Sequence, residues 1–285
     1  MGGPMARNLI KAGHDVALWS NSKGKAEKLA AEADGKPCAT PADVARHAEC
    51  VFLCVGDSAM SEAVILGPGG ILEGGHKGLI VVDASTVSPA SSRHVNDELA
   101  KAGIEFLGAP CTGSTPGAIN GTLTFMVGGD EKVFEKVRPF LEVMGKKLYY
   151  CGGPAMGLHA KLTQNLVLSN LLQAFNEGIV LSTKAGIEPK LMLDILSNSA
   201  AKSGLIDYKA PFIFRRDFET NFSVKWMYKD IGLMLESAAE LDVPLFLTGL
   251  TRQLFQAAIA RGHGEEDICS TIKVLEEMTG TEVKG

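Results

Sequence analysis

Apolar and polar positions follow one another with two different rhythms along this chain, and the rhythm changes near residue 155. Before that point, short apolar runs at His14 to Trp19, Val51 to Val55, Leu79 to Ala84, Ile104 to Leu107, Leu123 to Val127 and Leu148 to Cys151 predict strands. Between most of them apolar residues recur three and four apart, as at Lys25 to Ala33, Ser88 to Ala102 and Glu131 to Met144, which predicts helices. Strands alternating with helices predict an α/β fold, a doubly wound and mainly parallel sheet covered on both faces. After the turn Cys151-Gly152-Gly153-Pro154 every periodic run is helical. A long proline-free run reaches from Gly157 to about Gly186, followed by Pro189 to Asn198, Val224 to Leu241, Pro244 to Arg261 and Glu265 to Met278. The expected organisation is a domain of residues 1–155 and an all-α domain of residues 156–285 that opens with the long helix. That helix is expected to join the halves rigidly, and the tail from Thr279 to fray.

Lys161 and Asn165 lie four apart on the long helix and so project from one face, about one turn apart. A lysine that trades protons near neutral pH must have its basicity brought down from about 10.4 by burial or a neighbouring cation. An apolar helix at a domain seam would supply that burial, and seams commonly hold ligands. Taken alone, the two residues are better read as a solvated lysine and an interior amide.

Composition narrows the partners. With 285 residues, 46% hydrophobic and 21% charged, a net charge of -5 and a pI near 5.7, the chain has an ordinary soluble composition and room for two domains. No basic stripe is available for a nucleic-acid backbone, so a small-molecule partner is expected. No apolar run reaches the ~18 residues of a membrane helix, and Met1-Gly2-Gly3-Pro4 has no signal-peptide pattern, so a cytoplasmic protein is expected. The six cysteines form no Cys-x-x-Cys pair, so no metal site is expected and most read as buried thiols.

Four stretches together resemble the β-hydroxyacid dehydrogenases, which include 3-hydroxyisobutyrate dehydrogenase, tartronate semialdehyde reductase and the glyoxylate/succinic semialdehyde reductases. Met1-Gly2-Gly3-Pro4-Met5-Ala6-Arg7-Asn8-Leu9 is similar to the end of that family's glycine-rich cofactor loop and its helix. Gly108-Ala109-Pro110-Cys111-Thr112-Gly113-Ser114 resembles its substrate loop, Gly157 to Asn165 its catalytic helix, and Lys229-Asp230-Ile231-Gly232-Leu233 its helical-domain signature. The resemblance implies a Rossmann-like first domain and, residue by residue, a set of roles. Lys161 is then the general acid that protonates the substrate oxygen as hydride arrives, and the base in reverse. Asn165 orients the substrate, Thr112 donates its hydroxyl to a substrate carboxylate, and Gly113 lets the backbone N–H approach it. Thr112 stands where the family usually has serine, and its methyl narrows the pocket.

On the cofactor side, Val55 and Gly56 follow one strand and Thr86 another, at carboxyl ends where doubly wound sheets bind nucleotides. Thr86 resembles a position near the nicotinamide, and Lys229 one that reaches the cofactor, although a helix lysine paired with an acid is its plainer reading. Ser20-Asn21-Ser22-Lys23 should meet the adenosine ribose. An NAD enzyme generally carries an acid there; this segment has none, and its hydroxyls, amide and lysine favour NADP over NAD. Gly2 is the last glycine of a Gly-x-Gly-x-x-Gly fingerprint whose first strand and first two glycines are missing. That strand is central in a 3-2-1-4-5-6 sheet, so its neighbours are expected to lack pairing, and an upstream strand and Gly-x-Gly turn are expected in the native protein.

The resulting expectation is an NADP-dependent reductase of a small aldehyde acid, such as succinic semialdehyde or glyoxylate, working as a homodimer or homotetramer. One alternative is a 3-hydroxyisobutyrate or other β-hydroxyacid dehydrogenase using NAD. Another, of a different class, is a truncated non-catalytic scaffold, which the missing turn favours and the presence of Lys161, Asn165 and Thr112 opposes.

Overall fold

The computed structural model describes residues 1–22 and 24–285; Lys23, named above with the ribose segment, lies outside the described residues. Two compact units are present, Met1–Lys161 and Leu162–Gly285, and the division falls inside the long helix.

The first unit opens with α1 (Gly2–Lys11), with Pro4 in its first turn, where a missing N–H costs nothing. Then come β1 (Ala17–Leu18), α2 (Lys25–Ala33), β2 (Lys36–Pro37), α3 (Pro41–Ala45), β3 (Cys50–Leu53), α4 (Ser58–Leu66), α5 (Ile71–Gly74), β4 (Ile80–Asp83) and α6 (Pro89–Lys101). The unit continues with β5 (Glu105–Gly108), β6 (Cys111–Thr112), α7 (Ser114–Asn120), β7 (Leu123–Gly129), α8 (Glu131–Met144) and β8 (Gly145–Gly152). Short helices α3, α4, α5 and α7 lack the apolar rhythm that revealed the longer ones. Side-chain caps start two of them instead: Thr40 and Asp43 form a reciprocal capping box at α3, and Asp57 caps α4.

The sheet is in two pieces. β1 and β2 pair with each other alone, over Ala17↔Lys36 and Leu18↔Pro37. The larger piece runs β3-β4-β5-β7-β6, with β8 beside β7. β3, β4 and β5 are mutually parallel, but β7 runs antiparallel to β5 and β6, so the sheet is more mixed than its helix-strand alternation predicts. The short β6 and α7 replace a full crossover between β5 and β7, and that reverses the chain. The expected strand from His14 to Trp19 shrinks to the two residues Ala17–Leu18.

β4 is buried along its whole length because helices cover both faces. Its side chains divide alternately: Ile80 and Val82 join Leu107, Phe125, Phe134 and Leu141 on one face, while Val81, with Leu79 just before the strand, joins Val51, Leu53, Ile65, Val95 and Leu99 on the other. A cavity of about 760 Å³ separates the two pieces of sheet, bounded by β1, β3, and the first turns of α1.

α9 (Met156–Lys184) leads into the second unit, which contains α10 (Pro189–Ser197), α11 (Gly204–Arg215), α12 (Val224–Glu240), α13 (Phe246–Ala260), a 3₁₀ turn at Ile268–Thr271 and α14 (Ile272–Thr279). The helix expected from Glu265 begins later, because Gly264 to Asp267 forms a turn and a single bridge that bind the start of α12: Val224 N–H donates to Glu266 O and Lys225 N–H to Gly264 O. Asp267 anchors this corner. Its carboxylate, 2% exposed, accepts Lys209 Nζ at 2.7 and 2.8 Å and the N–H groups of Asn221, Phe222 and Cys269.

The expected fraying from Thr279 is not found. Val283 is fully buried beside Ile213 and Phe214, and its N–H donates to Glu276 Oε1 at 2.9 Å. Glu276 is held in turn by both terminal nitrogens of Arg216 at 2.7 and 2.8 Å. No helix among the described residues is long and apolar enough to cross a membrane.

Candidate active site

Two glycines set the start of α9 against the sheet. A Cβ on Gly157 would lie 2.2 Å from the Met126 carbonyl oxygen and 2.9 Å from that of Gly108, and one on Gly128 would lie 2.6 Å from Gly157 N. Only hydrogen fits at such contacts, so backbone packs on backbone. The chain enters the helix through Gly152 at φ 114° and Ala155 at φ 66°. Lys161 follows about one turn past Gly157, and at 7% exposure it is buried.

The carboxyl end of β5 feeds the loop that the sequence singles out. Ala109 N–H donates to Asp83 O at 2.7 Å and Met126 N–H to Pro110 O at 3.0 Å, which pins the loop on both sides. Gly113 adopts φ 126° and Ser114 φ 53°, two consecutive residues in backbone regions that favour glycine. Leu123 Cδ2 would stand 3.2 Å from a Cβ on Gly113, so the position is also crowded. Burial pushes the Cys111 thiol above its ordinary value, and the Lys161 ammonium opposes that rise, which places the lysine's charge within reach of this loop. Cys111, next to Thr112 in this loop, and Lys161 thus lie within electrostatic reach of each other in the first unit.

Asn165 lies one turn further along α9, in the second unit, and is 2% exposed. Its Nδ2 donates to Asp230 Oδ2 at 2.7 Å. Lys229 Nζ lies 2.9 Å from Asp230 Oδ1, with the lysine side chain 23% and the aspartate 3% exposed. One buried carboxylate therefore holds two of the residues picked out by sequence. Asp230 itself was not picked out, although it follows Lys229 directly in the matched signature. A carboxylate can only accept, so the amide of Asn165 must turn its nitrogen inward.

On the cofactor side, Gly2, Ser20, Asn21, Ser22 and Val55 all line the 760 Å³ cavity, while Gly56 and Thr86 do not. The Ser20 hydroxyl oxygen accepts Ser22 N–H at 3.2 Å, curling the segment after β1, and no acid occupies residues 20–22. A Cβ on Gly2 would meet Cys54 Cβ at 3.7 Å, an ordinary contact. Hydroxyls, an amide and helix-terminal backbone at the carboxyl ends of β1 and β3 form a donor set suited to a dinucleotide. Among the described residues no group of three or more His, Cys, Asp or Glu is placed to hold a metal ion.

The chain is similar to known proteins along most of its length. Residues 1–153 match the NAD binding domain of 6-phosphogluconate dehydrogenase, and residues 155–275 match the NAD-binding domain of NADP-dependent 3-hydroxyisobutyrate dehydrogenase. The chain is 38% identical to the 2-(hydroxymethyl)glutarate dehydrogenase of Eubacterium barkeri, covering 100% of this chain and 95% of that protein. It is 32% identical to the chloroplastic glyoxylate/succinic semialdehyde reductase 2 of Arabidopsis thaliana, over 99% of this chain and 78% of that one. Among solved structures, the 3-hydroxyisobutyrate dehydrogenase of Mycobacterium tuberculosis with L-serine superimposes with a TM-score of 0.88 at 27% identity over 96% of this chain and 95% of that chain. With a nucleotide-binding sheet, a helical unit and similarity running the length of the chain, this protein belongs to the β-hydroxyacid dehydrogenase family and is an NAD(P)-dependent oxidoreductase.

Proposed function

We propose that this enzyme transfers hydride between NADP(H) and a small aldehyde acid such as succinic semialdehyde or glyoxylate, with Lys161 exchanging the proton at the carbonyl oxygen. The burial of Lys161, with its charge in reach of Cys111 in the loop that carries Thr112 and Gly113, carries this reading. Hydride arrival at a carbonyl carbon builds charge on oxygen, and a proton donor within hydrogen-bond reach lowers that barrier by typically 10² to 10⁴-fold. A bound nicotinamide cofactor supplies the hydride in the reducing direction. The chain's own residues do the rest. Thr112 Oγ1 and the Gly113 N–H hold the substrate carboxylate, and Asn165 orients the substrate from the next turn of α9, its own amide set by Asp230. On the cofactor, Gly2, Val55, Gly56 and Thr86 form the strand-end platform, Ser20, Asn21 and Ser22 take the ribose end, and Lys229 contributes from α12.

The absence of an acid at residues 20–22 supports NADP. Oxidation of a hydroxyacid by the same residues is the second reading, and the 38% identity to a 2-(hydroxymethyl)glutarate dehydrogenase favours it. Rates measured in both directions separate the two. Residence in the cytoplasm and a homodimeric or homotetrameric assembly belong to the same proposal. The assembly is supported by Phe246, Leu247 and Leu250, which stand 84%, 58% and 68% exposed at the start of α13. The scaffold alternative loses its ground once the family's enzymes match over the whole chain.

The decisive test is Lys161→Ala. It is expected to keep cofactor affinity, measured by fluorescence titration with NADPH and separately with NADH, and to lose turnover by on the order of 10²-fold or more. Near-normal turnover removes Lys161 from the mechanism, and tighter NADH than NADPH binding overturns the cofactor assignment.

A further inference from the structure

β3 and β4 run side by side with Leu53 opposite Asp83, and their ladder closes with Ala84 N–H donating to Leu53 O at 2.8 Å. Beyond that rung the two chains part toward the caps of α4 and α6, Asp57 and Ser88. Side chains take over where the ladder stops. Ser85 Oγ accepts Val55 N–H at 2.8 Å, and Ser58 Oγ accepts Ser88 N–H at 3.0 Å. Asp83 folds back over its own strand end, so that Oδ1 accepts Ser85 N–H at 2.8 Å and Oδ2 accepts the Ser61 hydroxyl at 2.6 Å. Asp83 and Ser85 are each 2% exposed and Ser61 1%. Above this clamp, Val55, Gly56 and Thr86 remain partly open to solvent.

A buried carboxylate is tolerated only where hydrogen bonds satisfy it, so the clamp specifies one geometry for both loops. We propose that Asp83 and Ser85 are positioning residues that lock the loop after β3 to the loop after β4, so that Val55, Gly56 and Thr86 meet the bound cofactor as a single preformed surface. This rests on the proposed function, which places the cofactor over these strand ends. The clamp also consumes the Val55 N–H, so Val55 offers a ligand its carbonyl and side chain. Preforming the surface removes an ordering cost that each binding event would otherwise carry.

The test begins with the unsubstituted chain, titrated with NADPH by fluorescence. Ser85→Ala removes the acceptor of Val55 N–H but leaves the backbone bond to Asp83. It is expected to weaken NADPH binding about tenfold and to accelerate amide exchange at Val55. Asp83→Asn keeps an acceptor for Ser85 N–H and is expected to bind NADPH within about threefold of the parent. Ser91→Ala, which removes a 2.6 Å bond to Glu62 between the same two helices but outside the loops, controls for a loss of stability alone and is expected to leave NADPH affinity unchanged. Unchanged NADPH affinity in Ser85→Ala, or an equal loss in Ser91→Ala, overturns the inference. Absence of binding to NADPH and to NADH in the unsubstituted chain overturns the proposed function itself, and this inference with it.

Discussion

Removing the carboxylate of Asp230 separates a hub from an ordinary surface acid. In the folded chain that group accepts Asn165 Nδ2 at 2.7 Å and lies 2.9 Å from Lys229 Nζ, and Asp230 is 2% exposed. A hydrogen bond from a buried amide to a charged acceptor contributes about 1.5–3 kcal/mol. The lysine is nearly a quarter exposed, so its part is discounted for solvent to roughly 0–1 kcal/mol. Against these stands the relief of burying one charge fewer, which offsets about 1 kcal/mol. Asp230→Ala should therefore destabilise the helical unit by about 2 kcal/mol, and lower its midpoint by about 4–8 °C for a chain of this size. The assay is urea unfolding followed by tryptophan fluorescence in a Trp19→Phe background, because the chain has two tryptophans and Trp226 lies in α12, one turn before Asp230. The reporter then reads the unit that holds the perturbation. A loss below about 0.5 kcal/mol with the Trp226 transition unmoved would refute the reasoning, since Asn165 and Lys229 would then be equally well held without Asp230.

Three further outcomes are expected. Gly157→Ala puts a Cβ 2.2 Å from the Met126 carbonyl oxygen, so α9 must shift and turnover should fall at least tenfold while the chain still folds; steady-state rates with circular dichroism check this. Asp267→Ala strands the buried Lys209 ammonium, 4% exposed, and should cost about 3–5 kcal/mol in urea unfolding. Burial pushes the thiols of Cys50 and Cys54 up to about 12 from an ordinary 9.0, with the Cys111 and Asp83 charges adding to the effect at Cys54. The folded chain keeps these protons after the unfolded chain has lost them. Their stabilisation is thus complete below about pH 9 and is lost as pH rises toward about 12, at up to about 1.4 kcal/mol per pH unit for each thiol. Urea midpoints of the parent and of Cys54→Ala at pH 8 and pH 10 should converge as pH rises.

What the sequence revealed, and what it hid, follows from the reach of each signal. Runs such as Leu79 to Ala84 and Glu131 to Met144 announce themselves because burial imposes a period on their own residues. Lys161, Thr112 and Gly113 stand out by resemblance alone, whereas the part of Gly157 and Gly128, whose missing side chains let α9 settle on the sheet, shows only in the fold. Asp230, Asp83 and Ser85 were not legible. Their importance lies in partners 65, 22 and 30 positions away, and no local pattern records such pairings. The docked tail was missed for the same reason, because Val283 is buried by residues of α11 and held by Glu276. The reversal of β7 depends on how a two-residue strand and a seven-residue helix fill a short connection, which composition does not encode.

The break in the sheet sets which part of the nucleotide domain opens most readily. The β1–β2 ribbon has two residue pairs, one of them to Pro37, and its small core is Leu18, Ala26 and Ala30 with their neighbours. So slight a pairing opens at a lower free energy than the β3–β4–β5 core, and it carries Ser20, Asn21 and Ser22 at its edge. Occupancy of that edge by a ribose phosphate would be coupled to local ordering. The ligand would draw the ribbon into the cooperative unit and slow exchange of the Lys36 and Cys38 amides, which donate to Val16 and Leu18 across it. Affinity for the adenosine end would then be governed as much by the stiffness of two strands as by the groups that touch it.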